Sequence, residues 1–174
     1  ILGRGNTIET NRAGLVGQYV GETAIKTTET VRSALAGVLL VDDAYSLIEN
    51  RDSNSYAKEA IDTLVPILTN GEEYRFCLIM AGYPNEMDEL LGMNPGLRSR
   101  FSKANIITIE DYKPDLLKTI FINECQKDGY TFIKEPALDL DLFFENLYSQ
   151  RDRENFGNAR DIVALADEVK LQCG

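Results

Sequence analysis

The chain has 174 residues, of which 44% are hydrophobic and 26% charged, the proportions of an ordinary globular protein. This length allows one sizeable core, or a main domain with a small one. A net charge of −10 with no cluster of Lys and Arg argues against a general nucleic-acid binder. The chain contains no histidine, which excludes His-based triads, His metal ligands and histidine pH switches.

The three cysteines, Cys77, Cys125 and Cys173, lie far apart and form no CxxC pair. They support neither a disulfide framework nor a zinc site, and they favour a reducing, cytoplasmic setting. No apolar run approaches the roughly 18 residues that a membrane span requires. The first residues also lack the charged-then-apolar pattern of a signal peptide.

The first predicted elements are a weak strand at residues 7–9 and a helix at residues 24–36. Between them, residues 15–23 have no helical period, and two glycines bracket Tyr19 there, which predicts a loop. The helix is predicted from apolar residues at helical spacing among polar ones.

Four apolar residues, Val38–Val41, predict a short strand buried on both faces, and two acids, Asp42 and Asp43, follow it directly. The carboxyl ends of strands are where open α/β sheets bind ligands. One interpretation is a Walker B motif, in which the first acid holds Mg²⁺ through water and the second acts on the attacking water. The alternative is a strand that ends in a solvated acidic turn, and this stretch alone does not decide between them.

Further elements follow in alternation: a helix at residues 55–69, an apolar strand at 76–81, a helix at 87–93 and a third apolar strand at 106–109. Such alternation predicts a parallel α/β sheet flanked by helices. Just before the third strand, Arg98 and Arg100 stand between Leu97 and Phe101. This pattern predicts an element that packs through its apolar residues and points its guanidinium groups outward.

The pattern changes after Asp111. Helices are predicted at residues 113–127, 137–150 and 158–172, and a further strand is suggested only at 130–133. We therefore expect an α/β domain at residues 1–111 and a small all-helical domain at 112–174.

With these elements placed, the sequence resembles the AAA+ ATPases, specifically the CbxX/CfqX branch with its Rubisco activases, sporulation protein K-like proteins and type VII secretion ATPases. The matching motifs follow the family's order: LVGQYVGETAIKT at 15–27 (pore loop), GVLLVDDAYSL at 37–47 (Walker B), AIDTL at 60–64, AGYPNEM at 81–87 (sensor 1), NPGLRSRF at 94–101 (arginine finger) and GNAR at 157–160 (sensor 2). The resemblance implies a homo-oligomeric ring, a hexamer, that acts on a protein substrate. It also implies ATP and Mg²⁺ as cofactors, a helical lid at 112–174, and neither nucleic-acid binding nor a membrane span.

By the resemblance, Asp42 orients Mg²⁺ and Asp43 takes the place of the glutamate that usually positions the attacking water. Aspartate is shorter by one methylene, and an error of about 1 Å can cost about 100-fold in rate. Hydrolysis is therefore expected to be slow or absent, and a hydrolysis-deficient structural or regulatory subunit is the alternative function. A phosphoacceptor receiver domain also has acids after a strand, but it needs a third aspartate after a later strand, where this chain has Ala81, Gly82 and Tyr83.

The resemblance also implies that Arg100 and Arg98 reach the nucleotide site of a neighbouring subunit, that Arg160 contacts phosphates from the lid, and that Tyr83 occupies the sensor 1 position. The alternatives are a surface ion pair for each arginine, with Asp161 or Glu154 as partner of Arg160, and a packing role for Tyr83.

Tyr19, Val20 and Gly21 match the aromatic, apolar and glycine pattern of a pore loop that grips a threaded polypeptide. An ordinary surface loop is the alternative, because single exposed aromatics are common.

The phosphate-binding pattern G-x-x-x-x-G-K-[ST] does not occur in the sequence. In the family, this loop and the strand before it precede the segment that matches here, and that strand lies in the middle of the sheet. We therefore expect an incomplete sheet, weak ATP binding and low stability for this chain on its own.

Overall fold

The computed structural model describes residues 3, 5–48, 54–70, 73–132, 139–152 and 155–173. The chain forms two compact units, Ile1–Thr108 and Ile109–Gly174. The assignment of these units to an ATPase subdomain and a lid stays a prediction.

The first unit contains a parallel sheet of three strands in the order β1-β2-β3. The strands are β1 (Thr7–Thr10), β2 (Val38–Val41) and β3 (Cys77–Met80). Val38 is in register with Thr7 on one side and with Cys77 on the other. Because all three strands run the same way, their carboxyl ends meet at one edge of the sheet.

Helices connect and flank these strands, as the predicted α/β fold requires. They are α1 (Arg12–Leu15), α2 (Glu22–Ser33), α3 (Asn54–Thr69), α4 (Pro84–Met93) and α5 (Pro95–Arg100). Two short 3₁₀ turns lie at Ala44–Leu47 and Lys103–Asn105. The predicted α/β architecture with a helical part is confirmed.

The core of the first unit lies between the middle strand and the helices. Leu39 and Val41 of β2 are fully buried, as are Ala60 and Leu64 on the apolar stripe of α3. These residues occupy the positions that the apolar strand and the helical period marked in the sequence. Their burial holds β2 in place and thereby sets the position of the acids that follow it.

The predicted third apolar strand at 106–109 is wrong. These residues belong to no strand, and Ile107 and Ile109 are 86% and 88% exposed. β-branched residues favour a strand only where a neighbouring strand offers its N–H and C=O groups. Within the described residues, β3 pairs with β2 alone, and no strand bridges from β3 to this segment.

Several element boundaries differ from the predicted ones. The helix predicted at 87–93 begins already at Pro84, because proline suits the first turn of a helix. Residues 95–100, for which the sequence predicted no helix, form the short helix α5. The Asn94 side chain caps its N-terminus by accepting from the N–H of Gly96 at 2.8 Å.

The described residues of the second unit form three helices, α6 (Pro114–Lys127), α7 (Leu140–Gln150) and α8 (Ala159–Cys173). Its core contains Leu117, Phe121, Phe144 and Ile162, with the rings of Phe121 and Phe144 5.6 Å apart. Residues 130–132 form no strand, and Ile133, like the predicted start of α7 at residue 137, lies outside the described residues.

None of the helices in the described residues is both long enough and apolar enough to span a membrane.

Candidate functional site

The two acids after β2 lie at the carboxyl edge of the sheet, where both neighbouring strands hold the backbone. The N–H of Asp42 donates to the carbonyl of Thr10 at 2.8 Å, at the end of β1. On the other side, the N–H of Ala44 donates to the carbonyl of Ala81 at 2.9 Å, just after β3. These bonds fix the turn that carries the acids relative to the whole sheet.

The turn itself exposes both carboxylates. Asp42 and Asp43 are exposed, and the backbone of Asp43 is in the left-handed region with φ +47°. The Asp43 N–H donates to Oδ1 of Asp42 at 3.0 Å. A carboxylate offers about four acceptor positions, so this bond leaves Asp42 with capacity to hold a cation or its water shell.

The donor set at this edge fits Mg²⁺ held in part by other ligands. Among the described residues, no group of three or more His, Cys, Asp or Glu could form a complete metal cage. Mg²⁺ is commonly held by one or two carboxylates together with water and substrate phosphates. Asp42 and Asp43 supply that number of carboxylates.

Tyr83 lies at the same edge, three residues after the end of β3 and directly before α4. Its ring centroid is 5.7 Å from that of Tyr45 with a tilt of 47°, and the residue is 51% exposed. This contact joins the segment after β3 to the segment after the acids. Tyr83 therefore packs against the site while it stays accessible to solvent.

Next to the acids there is a cleft of about 710 Å³ that the sequence did not indicate. It is lined by residues from the segment after β1, the loop before α2, the segment after β2, and helices α2 and α3: Asn11, Arg12, Ala13, Val16, Gly17, Gln18, Lys26, Asp43, Tyr45, Ser46 and Tyr56. Arg12 lies two residues after the end of β1, as Asp43 lies two residues after the end of β2. That position just beyond a strand is the signal in the sequence that indicates it.

The loop at Tyr19, Val20 and Gly21 is held at its base and exposed at its tip. Tyr19 is 69% exposed and Val20 is 87% exposed. The carboxylate of Glu22 accepts from the backbone N–H groups of Gln18 at 3.1 Å and Tyr19 at 3.2 Å. Gly21 begins the helix with φ +85°, a conformation that glycine adopts without strain.

The base of this loop is also anchored inside the protein. The Thr23 hydroxyl, which is fully buried, accepts from the N–H of Gly17 at 3.0 Å. The hydroxyl of Thr27, one turn later in α2, donates to the carbonyl of Leu15 at 2.9 Å. The loop therefore presents an aromatic and an apolar side chain from a rigid base.

The two arginines of α5 differ in their surroundings. Arg98 is exposed. The guanidinium of Arg100 instead donates to the carbonyl of Gly96 at 2.6 Å and contacts the hydroxyl of Thr69. Leu97 is buried and Phe101 packs against the core, so the apolar residues anchor the element. Arg98 thus points outward, whereas Arg100 is engaged within its own unit.

Arg160 lies in the second unit, in the first turn of α8, and is exposed. The carboxylate of Asp161 accepts from the N–H of Gly157 at 2.8 Å. No ion pair between Asp161 and Arg160 occurs in the described residues, and Glu154 lies outside them.

Several known proteins are similar to this chain in sequence. Residues 3–109 match the model of the ATPase family associated with various cellular activities (AAA). Stage V sporulation protein K of Bacillus subtilis (strain 168) is 38% identical over 92% of this chain and 48% of its own length. Protein CfxQ of Xanthobacter flavus is 36% identical over 97% of this chain and 51% of its own length.

A third relative is the chloroplastic ribulose bisphosphate carboxylase/oxygenase activase of Cyanidioschyzon merolae (strain NIES-3377 / 10D). It is 33% identical over 97% of this chain and 56% of its own length. The chain thus spans about half the length of the curated relatives it matches. The resemblance to the CbxX/CfqX branch is confirmed, and the chain belongs to the AAA family of ATPases.

Proposed function

We propose that this chain is part of an ATPase that couples ATP binding and hydrolysis, in a hexameric ring, to the remodelling or threading of a protein substrate. The observation that carries the proposal is the pair of exposed acids, Asp42 and Asp43, on a turn that both neighbouring strands hold at the carboxyl edge of a parallel sheet. Ligands bind at this edge in open α/β sheets.

In this proposal, Mg²⁺ supplies the charge that neutralises the β- and γ-phosphates of ATP. Asp42 holds the ion, partly through water. Asp43 orients the attacking water, and the Tyr83 hydroxyl bonds the water or a phosphate. Arg160 contacts the phosphates.

An arginine finger comes from α5 of the neighbouring subunit. Arg98 is exposed and can reach outward as it stands. Arg100 must first exchange its bonds to Gly96 and Thr69 for phosphate contacts. Each of these two hydrogen bonds contributes only a small net free energy, so their loss costs little. A guanidinium can bind a phosphoryl group through two N–H groups, and either arginine can therefore supply the positive charge.

Tyr19, Val20 and Gly21 form the pore loop. Their exposure, together with the rigid base that Glu22 and Thr23 provide, suits a group that grips a polypeptide without reading its sequence. The relative named as a ribulose bisphosphate carboxylase/oxygenase activase supports a protein as substrate. The three free thiols favour a reducing, cytoplasmic location.

A second candidate is a hydrolysis-deficient subunit with a structural or regulatory role in the ring. The observation that favours it is Asp43 itself, which is one methylene shorter than glutamate and sits on a left-handed backbone.

Steady-state ATP hydrolysis by the full-length protein tests the proposal. Asp42→Asn removes the charge that holds Mg²⁺, and we expect a rate loss of about 100-fold or more. Asp88 is an exposed acid on α4, and the control variant Asp88→Asn should leave the hydrolysis rate unchanged. Equal rates for the two variants would contradict the role of Asp42.

Asp43→Glu in the full-length protein separates the two candidates. A gain of about tenfold or more in the hydrolysis rate would mean that aspartate limits the reaction. No gain would weaken the idea that aspartate limits hydrolysis. If the unaltered protein binds ATP but hydrolyses it only after Asp43→Glu, the second candidate is favoured.

A further inference from the structure

Asn158 holds the turn before α8 through both ends of its side-chain amide. Its Nδ2 donates to Oδ1 of Asp111 at 2.8 Å. Its Oδ1 accepts from the backbone N–H of Tyr112, also at 2.8 Å. Asp111 and Tyr112 are the third and fourth residues of the second unit, so one side chain joins the start of this unit to the start of its last helix.

Asp111 in turn binds a third part of the unit. Its Oδ2 accepts from Nε of Arg151 at 2.9 Å, directly after α7. The guanidinium of Arg151 lies over the ring of Tyr148, 3.5 Å from its centroid, and the Arg151 side chain is only 10% exposed. Charge-assisted bonds of this kind are stronger than neutral ones, and partial burial reduces their screening by water.

The backbone conformation at position 158 also suits an asparagine. Asn158 has φ +52°, in the left-handed region, where asparagine is among the few residues besides glycine that occur often. The next bond, from the N–H of Gly157 to Oδ2 of Asp161, closes the turn against the first turn of α8. The direction in which α8 begins is therefore set by Asn158 and its partners.

Arg160 follows Asn158 by two residues and is exposed. A long, exposed arginine loses side-chain entropy when it binds a ligand. A backbone that is already fixed adds no further entropy loss to that binding. We propose that Asn158, Asp111 and Arg151 are positioning residues for Arg160, because they fix the backbone from which its side chain extends. This inference rests on the proposed function, since it assumes that Arg160 contacts ATP.

The test uses the full-length protein and measures the dissociation constant of a fluorescent ATP analogue. Asn158→Gly keeps the left-handed backbone accessible and removes only the amide that binds Asp111 and Tyr112. We expect it to weaken binding by about three- to tenfold, the size of one or two lost hydrogen bonds. Arg160→Ala should weaken binding at least as much.

The double variant separates positioning from a general loss of structure. If Asn158 acts through Arg160, then Asn158→Gly should change the affinity less than about twofold once Arg160 is alanine. Asp128→Asn is the matched control, since Asp128 accepts from Nζ of Lys170 at 2.6 Å and so also ties α8 to the end of α6, but far along the helix from Arg160. It should leave the affinity unchanged.

Two outcomes would overturn the inference in different ways. If Arg160→Ala weakens binding but Asn158→Gly does not, or if their effects simply add, the three residues do not position Arg160. If the unaltered protein does not bind the analogue, or if Arg160→Ala has no effect, the role of Arg160 in the proposed function fails and the inference fails with it.

Discussion

At the scale of single residues, two polar side chains occupy left-handed backbone positions at the ends of secondary structure. Asp43 has φ +47° after β2, and Asn158 has φ +52° before α8. Aspartate and asparagine are enriched in this region, whereas longer side chains are less well tolerated there. The shorter acid at position 43 is thus compatible with the turn, and Asp43→Glu needs a stability measurement beside its kinetics.

Gly17 is the glycine whose replacement should disturb the exposed loop most. A Cβ atom there would lie 2.5 Å from Cβ of Glu22 and 2.9 Å from the backbone N of Thr23. Since backbone must shift, we expect Gly17→Ala to destabilise the protein by about 1–3 kcal/mol, measured by urea denaturation.

Gly92, in α4, is the matched control, because nothing lies within 4 Å of a Cβ atom built there. Gly92→Ala should be neutral or stabilise the protein by up to about 1 kcal/mol, as alanine favours a helix. Equal effects of the two replacements would show that the close approach at Gly17 is relieved at no cost.

The cysteines should differ in reactivity. Burial raises the pKa of the Cys125 thiol, and the residue is 2% exposed, whereas Cys77 and Cys173 are exposed. Because the thiolate is the reactive form, iodoacetamide at pH 8 should modify Cys77 and Cys173 first and Cys125 only after unfolding, as peptide mass spectrometry would show.

The same shift predicts a pH dependence. The unfolded thiol ionises above about pH 8.5, while the folded Cys125 keeps its proton to higher pH, so this group lowers the stability as the pH rises past that value. If iodoacetamide modifies Cys125 of the native protein as fast as Cys77, the Cys125 thiol is not buried.

At the scale of elements, two short apolar stretches that both predict a strand differ in structure: one forms a strand and the other does not. Val38–Val41 forms the middle strand because β1 and β3 pair with it on both sides. The β-branched residues at 106–109 form no strand, because strand pairing requires a partner as well as a propensity. Helices depend less on distant partners, since their backbone bonds are local.

Two neighbouring phenylalanines in α7 test the core of the second unit. Phe144 is fully buried with its ring 5.6 Å from that of Phe121, whereas Phe143 is 43% exposed. Phe144→Ala should destabilise the unit by about 3–5 kcal/mol through lost burial and a cavity. Phe143→Ala should cost about 1 kcal/mol, mainly from its edge contact with Phe144.

The measurement is urea denaturation, with hydrogen exchange used to follow α6, α7 and α8 separately from the first unit. Similar losses for the two variants would mean that α7 packs in a different orientation.

At the scale of the whole molecule, the 174-residue sequence of this AAA-family chain contains no phosphate-binding pattern of the form G-x-x-x-x-G-K-[ST]. Backbone N–H groups and a lysine in that pattern hold the phosphates of ATP, and one acid pair cannot replace them. Calorimetric titration of this chain alone should therefore give a dissociation constant weaker than about 1 mM.

A relative such as stage V sporulation protein K, of which this chain spans 48%, is the comparison for this titration. A dissociation constant near or below about 10 μM for the chain alone would show that the remaining residues suffice for binding.

Local patterns in the sequence determined the parallel α/β class, β2 with its two acids, the exposed aromatic loop and the three last helices. Each depends on neighbours in the chain: an apolar run, a helical period, or a proline or glycine that ends an element. The family followed from the order of its motifs, and is confirmed by the match over residues 3–109.

Tertiary structure alone decided which distant residues meet. Residues 106–109 lack a strand partner, Arg100 bends back to Thr69 while Arg98 stays exposed, and Asn158 meets Asp111 across 47 positions of sequence. Such contacts depend on how packed elements bring side chains together. The spacing of residues along the chain does not predict them.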